Sequence, residues 1–186
     1  MSIDTTEHNR NRQDFSGIES IWLFGYGSLI YKVDFPFLER RPATIEDWAR
    51  RFWQGSHDHR GTPDSPGRVV TLVPEKGSIC KGVAYRVEHR VFEHLDHREK
   101  NGYQRHASKI LLSESGGEVD GTLYVADKNN PAFLGDAPLE ELARHIAASQ
   151  GPSGSNSDYV LQLARALRDL NDHDPHVVAL ESLLLG

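Results

Sequence analysis

Short apolar runs rich in β-branched and aromatic residues occupy much of the first two thirds of the chain, and each is bounded by glycine, proline or polar residues. Runs of this kind are typical of β-strands, and the intervening stretch ESGGEVDG is typical of a hairpin turn. The predicted strands are SIWLFGY (20–26), RVVTLVP (68–74), ICKGVAYRVE (79–88), RHASKILLS (105–113) and GTLYVAD (121–127).

Three segments between these runs lack the strand pattern. Residues 31–55 mix turn-forming residues and aromatics without a clean period, which predicts irregular structure. The stretch SHDHRGTPDSPGR (56–68) has closely spaced glycine and proline residues and predicts a loop, which is long enough for a functional role. Between residues 88 and 103 the apolar spacing fits a short helix that ends at an Asn-Gly pair.

The last third of the chain has helical periodicity. Apolar residues recur at i, i+3, i+4 and i+7 from Leu139, a second helix has Asn156 or Ser157 as its N-cap, and HVVALESLLL forms a final helix. Strands first and helices last, without βαβ alternation, predict an α+β fold with a mainly antiparallel sheet or barrel. We expect the polar residues 1–18 to form a flexible arm and residues 19–186 to form a single domain.

Composition limits the classes of protein to which the chain can belong. Its 186 residues suffice for one domain, and a net charge of -6 argues against a nucleic-acid-binding surface. The single cysteine, Cys80, excludes an internal disulfide and suits a reducing cytosol. The chain lacks a signal-peptide core and any run near the ~20 apolar residues of a membrane span. We therefore expect a cytoplasmic protein with no membrane or nucleic-acid partner and no evident obligate protein partner.

The stretch FGYGSLIYK (24–32) places two glycines directly after a predicted strand. It is not a dinucleotide-binding fingerprint, because Ile30 occupies the position of the third glycine. Glycines in this position form either an ordinary tight bend or a turn whose N–H groups are exposed to a ligand. The chain has ten histidines, of which His57 and His59, and His94 and His97, form scattered pairs, but no cysteine pair or HExxH motif accompanies them, so a metal site is not indicated.

A second candidate stretch, LDHREKNGYQRH (95–106), concentrates charged residues at the end of the predicted short helix. These residues form either a charged helix terminus with local ion pairs or a site in which one carboxylate faces the glycine turn. The residues alone leave both interpretations open.

The motifs YGSL, RExxGY and GPSGxNxxY occur in this order in the chain, together with GRVVTLV and GVAYRV. Together they resemble the ChaC-like γ-glutamylcyclotransferases over residues 21–171, approximately. The resemblance implies an α+β fold around a small mixed β-barrel. It also implies a reaction, the cleavage of glutathione to 5-oxoproline and cysteinylglycine by a lyase that needs no cofactor and no metal.

The resemblance further implies roles for individual residues. The family's catalytic glutamate falls on Glu99, which would act as general acid and base when the substrate's α-amine attacks its own γ-carbonyl. The substrate-cradling turn falls on Tyr26, Gly27, Ser28 and Leu29. Its N–H groups would bind either the γ-glutamyl α-carboxylate or the oxyanion that forms on the γ-carbonyl.

Three further residues are candidates for substrate binding, each with an ordinary structural alternative. Arg68 could pair with a substrate carboxylate or be a surface charge, and Tyr103 could line the pocket or only pack. Tyr159, with Ser153, could close the site or belong to a capped helix N-terminus. The substrate expected is glutathione; the alternatives are a cyclotransferase for other γ-glutamyl amino acids or amines, and a non-catalytic γ-glutamyl-binding module.

Overall fold

Five strands close into a barrel in the order β1-β3-β2-β4-β5 in a computed structural model that describes residues 4–114 and 116–186. Neighbouring strands are antiparallel, except that β1 and β5 are parallel. A mixed barrel with packed helices confirms the expected α+β fold. The strands are β1 (Ser20–Gly25), β2 (Glu39–Ser56), β3 (Gly67–Glu88), β4 (Gln104–Leu112) and β5 (Glu118–Val125), with a separate two-stranded pair, β6 (Gln150–Gly151) and β7 (Gly154–Ser155).

The described residues also form helices, which lie before, between and after the strands. None of them is long and apolar enough to cross a membrane. Three of them lie in the last third of the chain, where helices were predicted, and they confirm that prediction. The helices are α1 (Thr6–Arg12), α2 (Ser28–Tyr31), α3 (Val91–Arg98), α4 (Leu139–Ala147), α5 (Asn156–Asp169) and α6 (Pro175–Leu185).

Strands β2 and β3 form one long, bent antiparallel hairpin. The prediction of irregular structure for residues 31–55 is therefore wrong from Glu39 onward. The strand pattern was missed because the pairing of β2 with β3 has two breaks in register. One lies at Asp47, which has a φ of 66°, and the other lies between Arg51 and Gln54. Each break inserts unpaired residues and disrupts the period-2 pattern on which a strand prediction depends. The two strands predicted over 68–74 and 79–88 are likewise halves of β3.

The segment predicted as a flexible arm, residues 1–18, packs against the domain from residue 4 onward; residues 1–3 lie outside the described part. Thr5 donates through Oγ1 to the carbonyl oxygen of Tyr103 (2.7 Å), and Asn9 does so through Nδ2 (2.8 Å). Asn9 is fully buried and accepts from the N–H of Arg105 (2.9 Å). Thr5 and the buried Asn9 thus attach the segment to backbone groups next to β4, whereas most of its other side chains are exposed to solvent.

Two smaller differences concern helix and turn boundaries. The N-cap of α5 is Ser155, whose side chain accepts from the N–H of Asp158, so the predicted Asn156 lies one position inside the helix. Asn156 instead binds both backbone groups of Arg68, each at 2.7 Å, and joins α5 to the start of β3. The expected hairpin turn between β4 and β5 contains Ser115, which is outside the described residues.

A buried ionic network fixes the position of α3 against the barrel. Asp96 accepts from the guanidinium of Arg105 at 2.9 and 2.5 Å and from the hydroxyl of Tyr124 at 2.7 Å. The Arg105 guanidinium also stacks between Phe15 and Phe92, at 4.7 and 5.0 Å from the ring centroids. Because α3 ends immediately before residue 99, this network also positions the RExxGY segment.

We expect Asp96→Ala to lower the free energy of unfolding by about 3–5 kcal/mol, because it leaves the Arg105 guanidinium buried without a counter-charge. The matched control is Asp120→Ala, which removes an ion pair of the same 2.5 Å length to Lys109 on the exposed face of β4 and β5. Exposed pairs contribute little, so the control should unfold close to the wild type in a urea titration. Equal losses in both variants would contradict this account of the network.

Candidate active site

Two adjoining cavities open at one end of the barrel. The outer one has a volume of about 290 Å³ and the inner recess about 40 Å³. Four residues line both: Ser28, Glu99, Tyr103 and Tyr159. They come from the start of α2, the end of α3, the segment before β4 and the first turn of α5, so the site forms only when distant parts of the chain fold together.

Glu99 is the acidic group of the recess. It caps the C-terminus of α3, where its N–H donates to the carbonyl oxygen of Leu95 (2.9 Å), and its side chain is 15% exposed. Burial raises the pKa of the Glu99 carboxyl to about 7; the Arg98 guanidinium opposes this rise and Asp34 adds to it. A carboxyl with a pKa near neutrality can both accept and return a proton at physiological pH.

Arg98 does not neutralise Glu99, because its own hydrogen bonds lead elsewhere. Its Nε lies 3.7 Å from the carboxylate of Glu99, beyond hydrogen-bond distance. Its Nη1 donates to Asp34 (2.5 Å) and its Nη2 donates to the Ser28 hydroxyl (3.0 Å). Glu99 therefore keeps the elevated pKa that burial imposes on it.

The glycine turn after β1 presents unpaired N–H groups to the recess. No acceptor among the described residues binds the N–H of Gly27 or Ser28. A Cβ on Gly27 would lie 2.7 Å from a methyl group of Val70 and 3.2 Å from the Tyr159 hydroxyl. Glycine is thus required at position 27 by close packing against the opposite wall, and the ligand interpretation of FGYGSLIYK gains support from the free N–H groups.

Arg50 fixes the orientation of this turn. Its buried guanidinium donates through Nε to the carbonyl oxygen of Tyr26 (2.7 Å) and through Nη1 to Asp174 (2.7 Å), the N-cap of α6. The carbonyl of Tyr26 and the N–H of Gly27 belong to one planar trans peptide and point in opposite directions. Arg50 therefore directs the Gly27 N–H away from itself, and nothing in the sequence pattern identified this role.

Two tyrosines form the wall opposite the turn and contact the same backbone residue. Tyr103 donates its hydroxyl to the carbonyl oxygen of Val70 (2.7 Å), whereas the Tyr159 hydroxyl accepts from the N–H of Val70 (3.3 Å). Burial raises the pKa of both hydroxyls above the ordinary value, so both stay protonated. Since Tyr159 accepts from Val70, its own proton can be donated to a ligand in the recess.

The structure brings together all the predicted site residues except Arg68. Arg68 is buried outside both cavities, and its guanidinium donates to the carbonyl oxygens of Phe52 (3.0 Å) and Gly135 (2.8 Å) and to His145 (3.2 Å). The structure therefore does not place Arg68 with the other candidates, because these donors are used within the fold. The predicted residues that line the recess are Tyr26, Gly27, Ser28, Leu29, Glu99, Tyr103 and Tyr159.

Other residues of the outer cavity were not among the sequence candidates. Arg60 is one of them and lies in the connection between β2 and β3; the same connection places His59 3.0 Å from the hydroxyl of Ser153, which was a candidate and also lines the outer cavity. The predicted loop at 56–68 thus forms part of the cavity wall, where a functional role was expected. Among the described residues, no group of three or more histidine, cysteine, aspartate or glutamate side chains could hold a metal ion.

Known proteins resemble this chain in sequence and in structure. It is 43% identical to Gamma-glutamylcyclotransferase 2-3 of Arabidopsis thaliana over 87% of this chain and 86% of that protein. It is 38% identical to Glutathione-specific gamma-glutamylcyclotransferase 1 of Danio rerio over 92% of each chain. The crystal structure of the yeast γ-glutamyl cyclotransferase specific to glutathione superposes with a TM-score of 0.83 at 32% identity, covering 90% of this chain and 96% of the yeast chain.

The family model of the ChaC-like proteins matches residues 21–185, which include the glycine turn, Glu99 and the start of α5. The match covers more than half of the chain, and the resemblance noted from the YGSL, RExxGY and GPSGxNxxY motifs is confirmed. The chain belongs to the ChaC-like family.

Proposed function

We propose that this protein is a glutathione-specific γ-glutamylcyclotransferase, a lyase that cleaves glutathione into 5-oxoproline and cysteinylglycine. The observation that carries the proposal is the placement of the buried Glu99 carboxyl, with its pKa of about 7, in the same recess as the free N–H groups of Gly27 and Ser28. The similar proteins from zebrafish and yeast, which are named as glutathione-specific cyclotransferases, support the choice of substrate.

In this proposal the recess holds the γ-glutamyl group and the outer cavity holds the leaving dipeptide. The α-amino nitrogen attacks the γ-carbonyl carbon and forms the C–N bond of a five-membered lactam. Because both reacting groups belong to one molecule, the protein contributes mainly by folding the substrate into the reactive geometry. The turn at Gly27 and the Tyr159 hydroxyl would donate to the oxyanion on the γ-carbonyl or to the α-carboxylate.

Glu99 carries the proton between the two nitrogens. The α-amine is largely protonated at neutral pH, since its ordinary pKa is about 7.7–8.0, and it becomes nucleophilic once it has lost one proton to water. As the neutral amine attacks, its nitrogen must lose a second proton, which ionised Glu99 accepts. The tetrahedral intermediate then expels the cysteine nitrogen, and protonated Glu99 returns the proton to that nitrogen as the amide bond breaks. Atoms and charges balance with no cofactor.

We also propose that the reaction takes place in the cytoplasm. The single cysteine, Cys80, is buried and unpaired, and burial raises the pKa of its thiol to about 11. A protonated, inaccessible thiol suits a reducing compartment and takes no part in the proposed chemistry.

We expect Glu99→Gln to lower kcat for glutathione by about 10²–10⁴-fold, because the amide cannot carry the proton. The matched control, Glu93→Gln, changes an exposed glutamate on the same helix and should retain wild-type turnover. Mass spectrometry of 5-oxoproline and cysteinylglycine, with chelator present, measures both products. Unchanged turnover in Glu99→Gln would overturn the proposed role of Glu99.

The same assay with γ-glutamyl-alanine separates the alternatives for the substrate. Turnover of this dipeptide at a kcat/KM equal to or above that of glutathione would favour a cyclotransferase for other γ-glutamyl compounds. Binding of glutathione without turnover of any γ-glutamyl compound would favour a non-catalytic binding module.

The activity should depend on pH through Glu99. Because its raised pKa keeps the carboxyl protonated below about pH 7, kcat/KM should fall on the acid side with a midpoint near 7. The exposed Asp34 raises this pKa and also engages Arg98, so Asp34→Asn should move the midpoint to lower pH. A midpoint that stays fixed in Asp34→Asn would assign the acid limb to another group.

A further inference from the structure

Arg60 is a buried arginine without an acidic partner. It is 8% exposed, yet among the residues that the structure describes no carboxylate forms an ion pair with it. Its guanidinium makes one hydrogen bond, from Nη1 to the carbonyl oxygen of Ser155 (3.0 Å), and its remaining nitrogens have no partner there. These nitrogens are not sealed off from solvent, and Arg60 lines the outer cavity, so an anion that enters the cavity can accept hydrogen bonds from them.

The other buried arginines make more contacts within the fold. Arg50 pairs with Asp174 and Arg105 pairs with Asp96, while Arg68 donates through Nε to a histidine and through Nη1 to two carbonyl oxygens. Burial of an arginine is therefore not by itself unusual in this protein. The distinguishing features of Arg60 are its free donors and its position in the wall of the outer cavity.

The surroundings of Arg60 hold its side chain in a fixed position. Its guanidinium carbon lies 5.7 Å from the ring centroid of Tyr159, and its Nη1 donates to the carbonyl oxygen of Ser155 (3.0 Å), while its backbone N–H donates to the hydroxyl of Ser56 (2.9 Å). A Cβ at Gly67 would overlap the carbonyl oxygen of Arg60, and one at Gly154, which has a φ of 113°, would lie 3.1 Å from Nη1. The Tyr159 ring and the backbone of Gly154 and Ser155 therefore hold the guanidinium in place at the cavity wall.

Arg60 faces the half of the site that would hold the leaving dipeptide. It lines the outer cavity but not the inner recess, and the Tyr159 ring lies between it and the glycine turn, with the hydroxyl near Gly27. In glutathione the dipeptide ends in a carboxylate two residues beyond the amide bond that breaks. An extended dipeptide spans at most about 7 Å, and Arg60 is the buried arginine among the residues that line this cavity.

We propose that Arg60 binds the terminal carboxylate of the substrate's leaving dipeptide and thereby selects γ-glutamyl peptides that end in a free carboxylate. This inference rests on the proposed function, because it assigns the leaving group to the outer cavity. Arginine suits this role because its planar guanidinium can donate two parallel hydrogen bonds to a carboxylate. The other carboxylate of glutathione, on the γ-glutamyl group, stays in the recess with the free N–H groups.

The test compares glutathione with γ-glutamyl-cysteinyl-glycinamide, in which the terminal carboxylate is an amide, on the wild type and on Arg60→Gln. The wild type should prefer glutathione by about 30-fold or more in kcat/KM, mainly through KM, as expected for loss of one partner of a buried charge pair. Arg60→Gln should lose a similar factor on glutathione and should no longer distinguish the two peptides. Arg60→Lys should recover part of the preference, because it restores the charge.

Arg144→Gln is the matched control, since it removes an equally charged but exposed side chain on α4 and should keep the wild-type preference. A wild-type preference below about 3-fold would overturn the proposal, and so would an equal loss on both peptides in Arg60→Gln. Failure of the proposed function is distinguishable, because the wild type would then turn over neither peptide. In that case the Kd values of the two peptides, measured by isothermal titration calorimetry, still decide: equal values overturn the role of Arg60.

Discussion

The chemistry proposed for this protein depends on the burial of one carboxyl group. Glu99 has a pKa of about 7 because it is largely removed from water and its nearest cation, Arg98, is engaged with Asp34 and Ser28. A close ion pair with Arg98 would hold the carboxylate ionised at neutral pH and would leave it a poor proton donor. The fold therefore has to bury Glu99 and at the same time keep its neighbouring arginine occupied.

Several contacts around Glu99 hold its carboxyl and the glycine turn in position. The Asp96–Arg105 pair holds α3, and the N-terminal segment with Asn9 supports the backbone that follows Glu99. Arg50 links the glycine turn to β3 and, through Asp174, to α6. Substitutions far from the recess in sequence can thus change the geometry at the reacting atoms, since the turn and the carboxyl are both fixed by buried charged groups.

The sequence predicted the elements and candidate site residues that short, continuous residue patterns identify. The strand before the glycine turn, the C-terminal helices and the motifs around Gly27 and Glu99 could be read directly from the order of residues. Strand β2 could not, because its bulges disrupt the alternation, and α1 could not, because its buried residue is the polar Asn9, which binds backbone groups of a distant segment. Local patterns do not report such long-range hydrogen bonds.

The arginines show the same limit most clearly. Arg68 and Arg60 both lie near the loop before β3, and nothing in the sequence distinguishes them. In the fold, Arg68 donates hydrogen bonds to backbone carbonyls outside the cavities, whereas Arg60 lines the outer cavity and has donors that are not bound within the fold. Which arginine is available to a ligand depends on its hydrogen-bond partners in the tertiary structure, and local sequence does not predict these partners.

A direct titration of the Glu99 carboxyl tests the central claim of this account. Carbon-13 NMR of protein labelled at the glutamate carboxyl carbons, with the Glu99 resonance assigned by its absence from Glu99→Gln, gives the pKa without reference to substrate. The Glu99 carboxyl should titrate with a midpoint near 7. A midpoint near the ordinary value of 4.5 would contradict it, because Glu99 would then be ionised at neutral pH and unable to return the proton to the leaving nitrogen.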